Sequence, residues 1–221
     1  LSFAKNWSIK KISYAASLGT DNWEYSPTQT ARCKQLIKQF HAISVRENSA
    51  VSLLRKHFGT DSLQMPDPTL LLQQPDYREL ASRGKRIVHH TGIFSYILDH
   101  SATADKILNA VAQKYGASIY SQTAFDNRLH IPVEQRVQPS VEQWLQNFID
   151  ASFVVTDSFH GTVFSIIFNK PFITTGNKAR GNSRFDTLLG MFNLKERLIS
   201  SPEEIDKIIT SPIDWVSINA I

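Results

Sequence analysis

Residues 157–161, with the sequence Asp-Ser-Phe-His-Gly, stand between an apolar run typical of a buried strand, residues 153–156, and an apolar helical run, residues 161–168. A strand that ends in a polar turn and opens into a helix brings side chains and helix N–H groups to one point, where an anion is stabilised. Because an imidazole titrates near neutrality, His160 in this turn can donate a proton. The pattern predicts an anion site with a proton donor.

Arg46 directly follows a second short apolar run, residues 42–45, which predicts another strand. Open α/β sheets bind ligands outside the carboxyl ends of their strands. A guanidinium can hold a carboxylate or phosphate with two parallel hydrogen bonds. We therefore expect Arg46 to bind an anionic ligand.

The elements that would position these residues alternate strand with helix, as in a parallel α/β layer. In the first part of the chain the patterns predict strands at 11–17, 42–45 and 69–72, and helices at 28–40 and 48–58. In the second part they predict strands at 93–98, 118–120, 153–156 and 171–175, and helices at 101–115, 141–149, 161–168, 184–192 and 202–210. Residues 73–75 read as a connector, and residues 121–138 read as a long irregular loop.

This alternation predicts two domains, residues 1–75 and residues 76–221. The first range holds only half of an α/β layer. We therefore expect the amino-terminal domain to be incomplete.

Composition excludes several classes of protein. Of the 221 residues, 42% are hydrophobic and 20% are charged, which is ordinary for a globular protein. The single Cys33 cannot form an internal disulfide and suits a reducing, cytoplasmic compartment. No apolar run approaches the roughly 20 residues that span a bilayer. The net charge of +4 is a mild bias towards anionic ligands and lacks the clustered pattern of a nucleic-acid-binding protein.

Metal binding is not predicted either. No Cys/His cluster has the spacing of a zinc site. His89 and His90 are adjacent, so their side chains would point to opposite faces of an extended chain. We expect neither a metal nor a cofactor.

Six ordered segments resemble the polysaccharide pyruvyl transferase family over nearly the whole chain. They are ISYAAS (12–17), ISVRE (43–47), DPTLL (67–71), WL (144–145), VTDSFHGTVFS (155–165) and RGNSRF (180–185). The resemblance implies transfer of the enolpyruvyl unit of phosphoenolpyruvate to a sugar of a polysaccharide or its lipid-linked precursor, leaving a cyclic pyruvate ketal. It also implies two Rossmann-like domains with a glycosyltransferase-B-like plan, a site in the cleft between them, and peripheral association with any membrane-bound acceptor lipid.

The family's histidine and strand-end arginine match His160 and Arg46, which are therefore the expected catalytic residues. His160 would protonate the methylene carbon of phosphoenolpyruvate, and Arg46 would bind its carboxylate or phosphate. Some members carry an arginine where this chain has Ser158, so we expect Arg180 or Arg184 to bind the phosphate instead. The expected substrate-binding residues are Ser158, Phe159, Gly161, Thr162, Arg180, Arg184 and Asp67.

Each of these residues also has an alternative, purely structural interpretation. Asp157 and Ser158 are preferred helix-capping types, Asp67 before Pro68 often sets a turn, and His160 could bind a carbonyl. A serine hydrolase would need Gly-x-Ser-x-Gly, which is absent around Ser158. A nucleotide-sugar-dependent glycosyltransferase or a non-catalytic sugar-binding relative would share the same two-domain plan, so both remain alternatives.

Overall fold

The computed structural model describes residues 4–121, 137–176 and 181–221. The chain divides into two compact units. The first unit comprises Leu1–Leu71 with Asn177–Met191, and the second comprises Leu72–Gly176 with Phe192–Ile221. The division thus falls after Leu71 rather than after residue 75, and a later segment returns to the first unit.

The described elements are, in chain order, β1 (Ile12–Ala16), α1 (Pro27–Ile37), β2 (Ala42–Val45), α2 (Asn48–Phe58), β3 (Leu63–Gln64), α3 (Gln74–Ser82), β4 (Ile93–Tyr96), α4 (Ala102–Tyr115), β5 (Ile119–Ser121), α5 (Val141–Asp150), β6 (Phe153–Thr156), α6 (Phe159–Ile167), β7 (Phe172–Thr175), α7 (Ser183–Met191), β8 (Leu198–Ile199), α8 (Ile205–Ile209) and α9 (Trp215–Ile218). Short 3-10 helices occupy Pro68–Leu71, Lys195–Arg197 and Pro202–Glu204. No described helix is long and apolar enough to cross a membrane.

The first unit is built on a parallel sheet with the order β1-β2-β3. Its core joins β2 to α1 and α2 through a cluster of apolar side chains: Ile37, Val45, Ala50, Leu54 and Phe58. Helix α1 starts at a capping box formed by Ser26 and Gln29, and α2 ends at Gly59, whose φ of 66° suits glycine. Because the three strands are parallel, their carboxyl ends lie at one edge of the sheet.

The second unit is built on a five-stranded parallel sheet with the order β5-β4-β6-β7-β8. Counted within this unit, the order is 2-1-3-4-5, which is a doubly wound arrangement. The order reverses between β4 and β6, where Tyr96 pairs with Thr156. Such a switch point is where open α/β sheets bind their ligands.

Both faces of the central strands β6 and β7 are buried, as expected for parallel strands between helices. On one face, Phe153 and Val155 of β6 pack with Ile107 and Val111 of α4. The opposite face is covered by aromatic side chains of α3, α5 and α6, with ring centroids 4.8 to 4.9 Å apart for the pairs Trp144–Phe164, Tyr77–Phe164 and Phe94–Phe148.

The predicted strand at residues 69–72 is wrong, because Pro68–Leu71 forms a 3-10 helix. One carboxylate oxygen of Asp67 accepts hydrogen bonds from the backbone N of Thr69 at 2.9 Å and from its hydroxyl at 2.6 Å. These local bonds close a turn where apolar content alone suggested an extended segment. The third strand of the sheet is instead the two-residue β3.

Three further elements were not predicted. Helix α3 begins where a connector was expected, with Pro75 in its first turn, a favoured position for proline. The short β8 and α9 also lacked a recognised pattern. Of the predicted loop at 121–138, Ser121 belongs to β5, and residues 122–136 lie outside the described residues.

Candidate active site

The turn after β6 is held by hydrogen bonds among its own polar residues. The hydroxyl of Thr156 donates to the carbonyl of Tyr96 at 2.6 Å and accepts from the backbone N of Ser158 at 3.0 Å. Ser158 is the N-cap of α6, and its hydroxyl accepts from the backbone N of Gly161 at 3.3 Å. The turn is therefore fixed at the topological switch point, and Ser158 has the capping role that its residue type favours.

Asp157 ties this turn to the loop after β4. Its two carboxylate oxygens accept hydrogen bonds from the backbone N–H groups of Leu98, at 2.7 Å, and Asp99, at 2.8 Å. Asp157 thereby bridges the two strand ends that flank the switch point. Its carboxylate has a structural function here.

His160 is the exposed residue of this turn, whereas its neighbours Ser158 and Phe159 are buried, with exposures of 7% and 6%. The ring of His160 lies edge-on to that of Phe159, with centroids 5.4 Å apart. As the second residue of α6, His160 stands at the carboxyl edge of the sheet. The structure thus presents the predicted proton donor to solvent at the edge where ligands bind.

Gly161 and Thr162 use their N–H groups within the turn. The backbone N of Gly161 donates to the hydroxyl of Ser158, and that of Thr162 donates to the carbonyl of Ser158 at 3.0 Å. The hydroxyl of Thr162, which is fully buried, forms a 2.7 Å hydrogen bond with the hydroxyl of Thr174. A ligand that used these two N–H groups would have to replace existing bonds, so their binding role stays a prediction.

Tyr96 was not among the predicted site residues, although it ends β4 directly beside the turn. Burial raises the pKa of its hydroxyl, the neighbouring Trp144 side chain partly offsets the rise, and the charge of Asp157 adds to it. Tyr96 therefore stays neutral at physiological pH. Its position could not have been found from sequence, because it depends on which strands are neighbours.

In the first unit, Arg46 lies at the carboxyl end of β2 as predicted and forms an ion pair with Asp67 at 2.8 Å. The Asp67 side chain is only 1% exposed, whereas that of Arg46 is 18% exposed. The other oxygen of Asp67 accepts from Thr69. The structure therefore brings Asp67 against Arg46, and the predicted binding of substrate by Asp67 itself stays a prediction.

Arg184 lies in the first turn of α7, which belongs to the first unit. The backbone N of Asn48, at the start of α2, donates to the hydroxyl of Thr187 at 3.3 Å. Arg184 and Thr187 share a face of α7 because they are three residues apart. Arg184 thus belongs to the same unit as Arg46, while Arg180 lies outside the described residues.

Two further polar residues lie at this edge of the first sheet and were not predicted as site residues. Glu47, which follows Arg46, is 1% exposed, and one of its carboxylate oxygens accepts a hydrogen bond from Ser17. Ser17 follows directly after β1. The signal that could have found them is position: Ser17 is the last residue of one predicted strand, and Glu47 lies two residues beyond another.

Within residues 4–121, 137–176 and 181–221, no group of three or more His, Cys, Asp or Glu side chains is arranged to hold a metal ion.

Comparison with known proteins identifies both the fold and the family. No curated protein matches the sequence. A structure of the wall teichoic acid polymerase TagF soaked with CDPG for 15 minutes matches with a TM-score of 0.50 and 14% identity, covering 98% of this chain and 62% of that one. A 30-minute soak matches with a TM-score of 0.43 and 13% identity, covering 96% of this chain and 58% of that one.

The chain thus spans about three fifths of the length of the TagF chain in the first of these matches. At this level of identity the likeness concerns the fold alone. It confirms the predicted fold class of Rossmann-like α/β domains with a glycosyltransferase-B-like plan. The profile of the family described as polysaccharide pyruvyl transferase matches residues 3–178, and the chain therefore belongs to the polysaccharide pyruvyl transferase family.

Proposed function

We propose that this protein transfers the pyruvyl group of phosphoenolpyruvate to a sugar of a polysaccharide or its lipid-linked precursor and forms a pyruvate ketal. Family membership over residues 3–178 supports the reaction class. The observation that carries the proposal is the exposed His160, held by a hydrogen-bonded turn at the switch point of the second sheet. A rigidly placed imidazole at a ligand-binding edge is suited to proton transfer.

The proposed reaction starts with protonation of the methylene carbon of phosphoenolpyruvate. This step places positive character on the adjacent carbon, which a sugar hydroxyl then attacks. His160 is the proposed proton donor, since an imidazole changes charge near neutral pH. A second sugar hydroxyl displaces phosphate and closes the ketal.

Arg46 is the proposed binding group for the anionic donor. Its ion pair with the buried Asp67 limits the orientations of the guanidinium. A guanidinium of fixed orientation loses little conformational entropy when it binds a carboxylate or phosphate with two hydrogen bonds. Arg184 is proposed as a further cationic group for the phosphate.

The test combines full-length protein, phosphoenolpyruvate and a galactose- or glucose-containing acceptor. We expect phosphate release and a new ketal methyl signal by NMR. Turnover of a nucleotide sugar without consumption of phosphoenolpyruvate would contradict the pyruvyl transfer and favour a glycosyltransferase.

The role of His160 is tested by His160→Asn. We expect kcat to fall by about 100-fold or more with little change in donor affinity, because general acid catalysis contributes about 10²- to 10⁴-fold. The matched control is His89→Asn, an exposed histidine of the same unit that precedes β4 and so lies at the opposite edge of the sheet. Full activity of His160→Asn would show that another group donates the proton.

A further inference from the structure

Glu47 is a buried glutamate with one carboxylate oxygen that lacks a hydrogen-bond partner among the described residues. Its side chain is 1% exposed and accepts one hydrogen bond, from the hydroxyl of Ser17. Its other carboxylate oxygen is buried and has no hydrogen-bond partner among the residues that the structure describes. Glu47 also stands at the N-cap position of α2 without using its side chain as a cap. Burial of a carboxylate oxygen without a partner costs stability, so it calls for a functional explanation.

Ser17 connects this buried acid to the surface. It is exposed and follows β1 directly, at the carboxyl edge of the first sheet. The neighbouring strand end is that of Arg46, whose backbone N donates to the carbonyl of Ala16 at 3.0 Å. Because Ser17 gives its hydroxyl proton to Glu47, its oxygen can accept a hydrogen bond from a ligand hydroxyl.

The carboxylate of Asp67, which is also buried at this edge, already has a partner for each of its oxygens. Asp67 contacts Arg46 through one oxygen and Thr69 through the other. Ketal formation needs a base for the sugar hydroxyl, and neither His160 nor Arg46 supplies one in the proposed reaction. Among these groups, Glu47 combines a carboxylate with a route to the surface.

We propose that Ser17 and Glu47 form a proton relay that deprotonates the acceptor hydroxyl; this inference rests on the proposed function. As the sugar oxygen bonds to the central carbon of phosphoenolpyruvate, its proton passes to the Ser17 oxygen while the Ser17 proton passes to the Glu47 carboxylate. The electron pair of the donor's double bond takes a proton from the general acid of the proposed reaction. The step therefore moves one proton to the methylene carbon and one from the sugar to Glu47. When the second hydroxyl closes the ketal, its proton leaves with phosphate.

The relay predicts that Ser17 and Glu47 matter for turnover and not for donor binding. Four variants of the full-length protein separate these effects: Glu47→Gln, Ser17→Ala, Ser17→Thr and the control Ser52→Ala, an exposed serine of α2. Glutamine keeps the shape of glutamate and an oxygen that accepts from Ser17, but it is not a base. Phosphate release would be measured for kcat and for the KM of the acceptor, calorimetry for the donor Kd, and thermal unfolding for integrity.

We expect Glu47→Gln and Ser17→Ala to lower kcat by about 100-fold or more, as for loss of a general base, with the donor Kd within about twofold of wild type. Ser17→Thr, which restores a hydroxyl, should recover kcat to within about tenfold, and Ser52→Ala should match wild type. A Glu47→Gln protein that keeps its kcat within about twofold overturns the relay. Parallel losses of kcat, donor affinity and thermal stability would also overturn it, because they indicate a structural role. A wild-type protein that releases no phosphate from phosphoenolpyruvate refutes the proposed function and with it the relay.

Discussion

At the scale of single residues, a pair of described Arg–Asp contacts in the first unit differ in their surroundings. Arg46 and Asp67 are 2.8 Å apart, and the Asp67 side chain is 1% exposed. Arg55 and Asp61 are 3.9 Å apart, with side chains 79% and 95% exposed. A buried pair is costly to break because one charge remains without its partner, whereas an exposed pair contributes little.

We predict that Asp67→Asn lowers the free energy of unfolding by about 2 to 4 kcal/mol, near the range for breaking a buried ion pair. Asp61→Asn is the matched control and should change it by less than about 1 kcal/mol. Denaturant unfolding measures both values. Donor affinity of Asp67→Asn, measured by calorimetry, should also fall, because Arg46 loses its orienting contact. Equal stability losses in the two variants would contradict this account.

Gly161 lies so close to Thr156 and Tyr96 that a larger residue would not fit. A Cβ atom at this position would lie 2.2 Å from the hydroxyl oxygen of Thr156 and 3.1 Å from the ring of Tyr96. The Thr156 hydroxyl cannot easily move, since it bonds to Tyr96 and to Ser158. Only glycine lets α6 start this close to β6.

We predict that Gly161→Ala lowers both stability and activity, because the added methyl group displaces the turn that carries His160. The loss of stability should exceed that of Gly116→Ala, where the methyl would meet open space and the cost comes from the positive φ of 59° alone, about 1 kcal/mol. Thermal unfolding and phosphate release measure the two effects. A Gly161→Ala protein as stable as Gly116→Ala would contradict the predicted clash.

At the scale of elements, the Asp157 carboxylate joins the turn after β6 to the loop after β4 at the switch point. Asp157, beyond β6, accepts hydrogen bonds from two successive N–H groups beyond β4, those of Leu98 and Asp99. At the opposite edge of the sheet, Asp150 accepts from the backbone N of His90, which precedes β4. The two carboxylates thus fix the two ends of β4 independently.

We predict that Asp157→Asn speeds amide hydrogen exchange at Asp99 or Leu98, because an amide group has one accepting oxygen in place of two. Asp150→Asn should leave both of these amides protected and is the matched control. Exchange followed by NMR measures each site separately. Unchanged protection of both amides in Asp157→Asn would show that Asp157 does not hold the loop.

At the scale of the whole molecule, the second unit is assembled from two separate stretches of chain. The stretch from Phe192 contributes β8 and α8, whose Ile199 and Ile205 are fully buried in the core with residues of β4 and α4. The buried Arg197 donates to the carbonyls of Ile208, at 3.2 Å, and Ser211, at 2.6 Å. The guanidinium therefore binds the carboxyl end of α8 to the unit.

We predict that a chain ending at Met191 loses the cooperative unfolding of its second unit. Each buried isoleucine that is removed costs about 2 to 5 kcal/mol, and a domain has only about 5 to 15 kcal/mol in total. A chain ending at Ser211 is the control, since it keeps β8, α8 and both Arg197 contacts. Thermal unfolding followed by near-UV circular dichroism compares them. Equal midpoints for the two truncated chains would contradict this role of the terminal segment.

Elements whose signals are local can be predicted from the sequence. The cap Ser158 and the terminating Gly59 mark helix ends because they act within a few residues. Local patterns also predict His160 beyond a buried strand and Arg46 at a strand end. The predicted strand at residues 69–72 is wrong, because hydrogen bonds from Thr69 to Asp67 close a turn that apolar content does not reveal.

Which of these elements are neighbours depends on the three-dimensional fold. The order β5-β4-β6-β7-β8 puts the His160 turn at the switch point and joins Asp157 to residues 58 and 59 positions away. In the first unit, the fold pairs Arg46 with Asp67 and buries the Glu47 carboxylate with Ser17 as its partner. The physical reason is that strand order and burial arise from packing between segments distant in sequence, whereas caps, turns and periodicity report only on nearby residues.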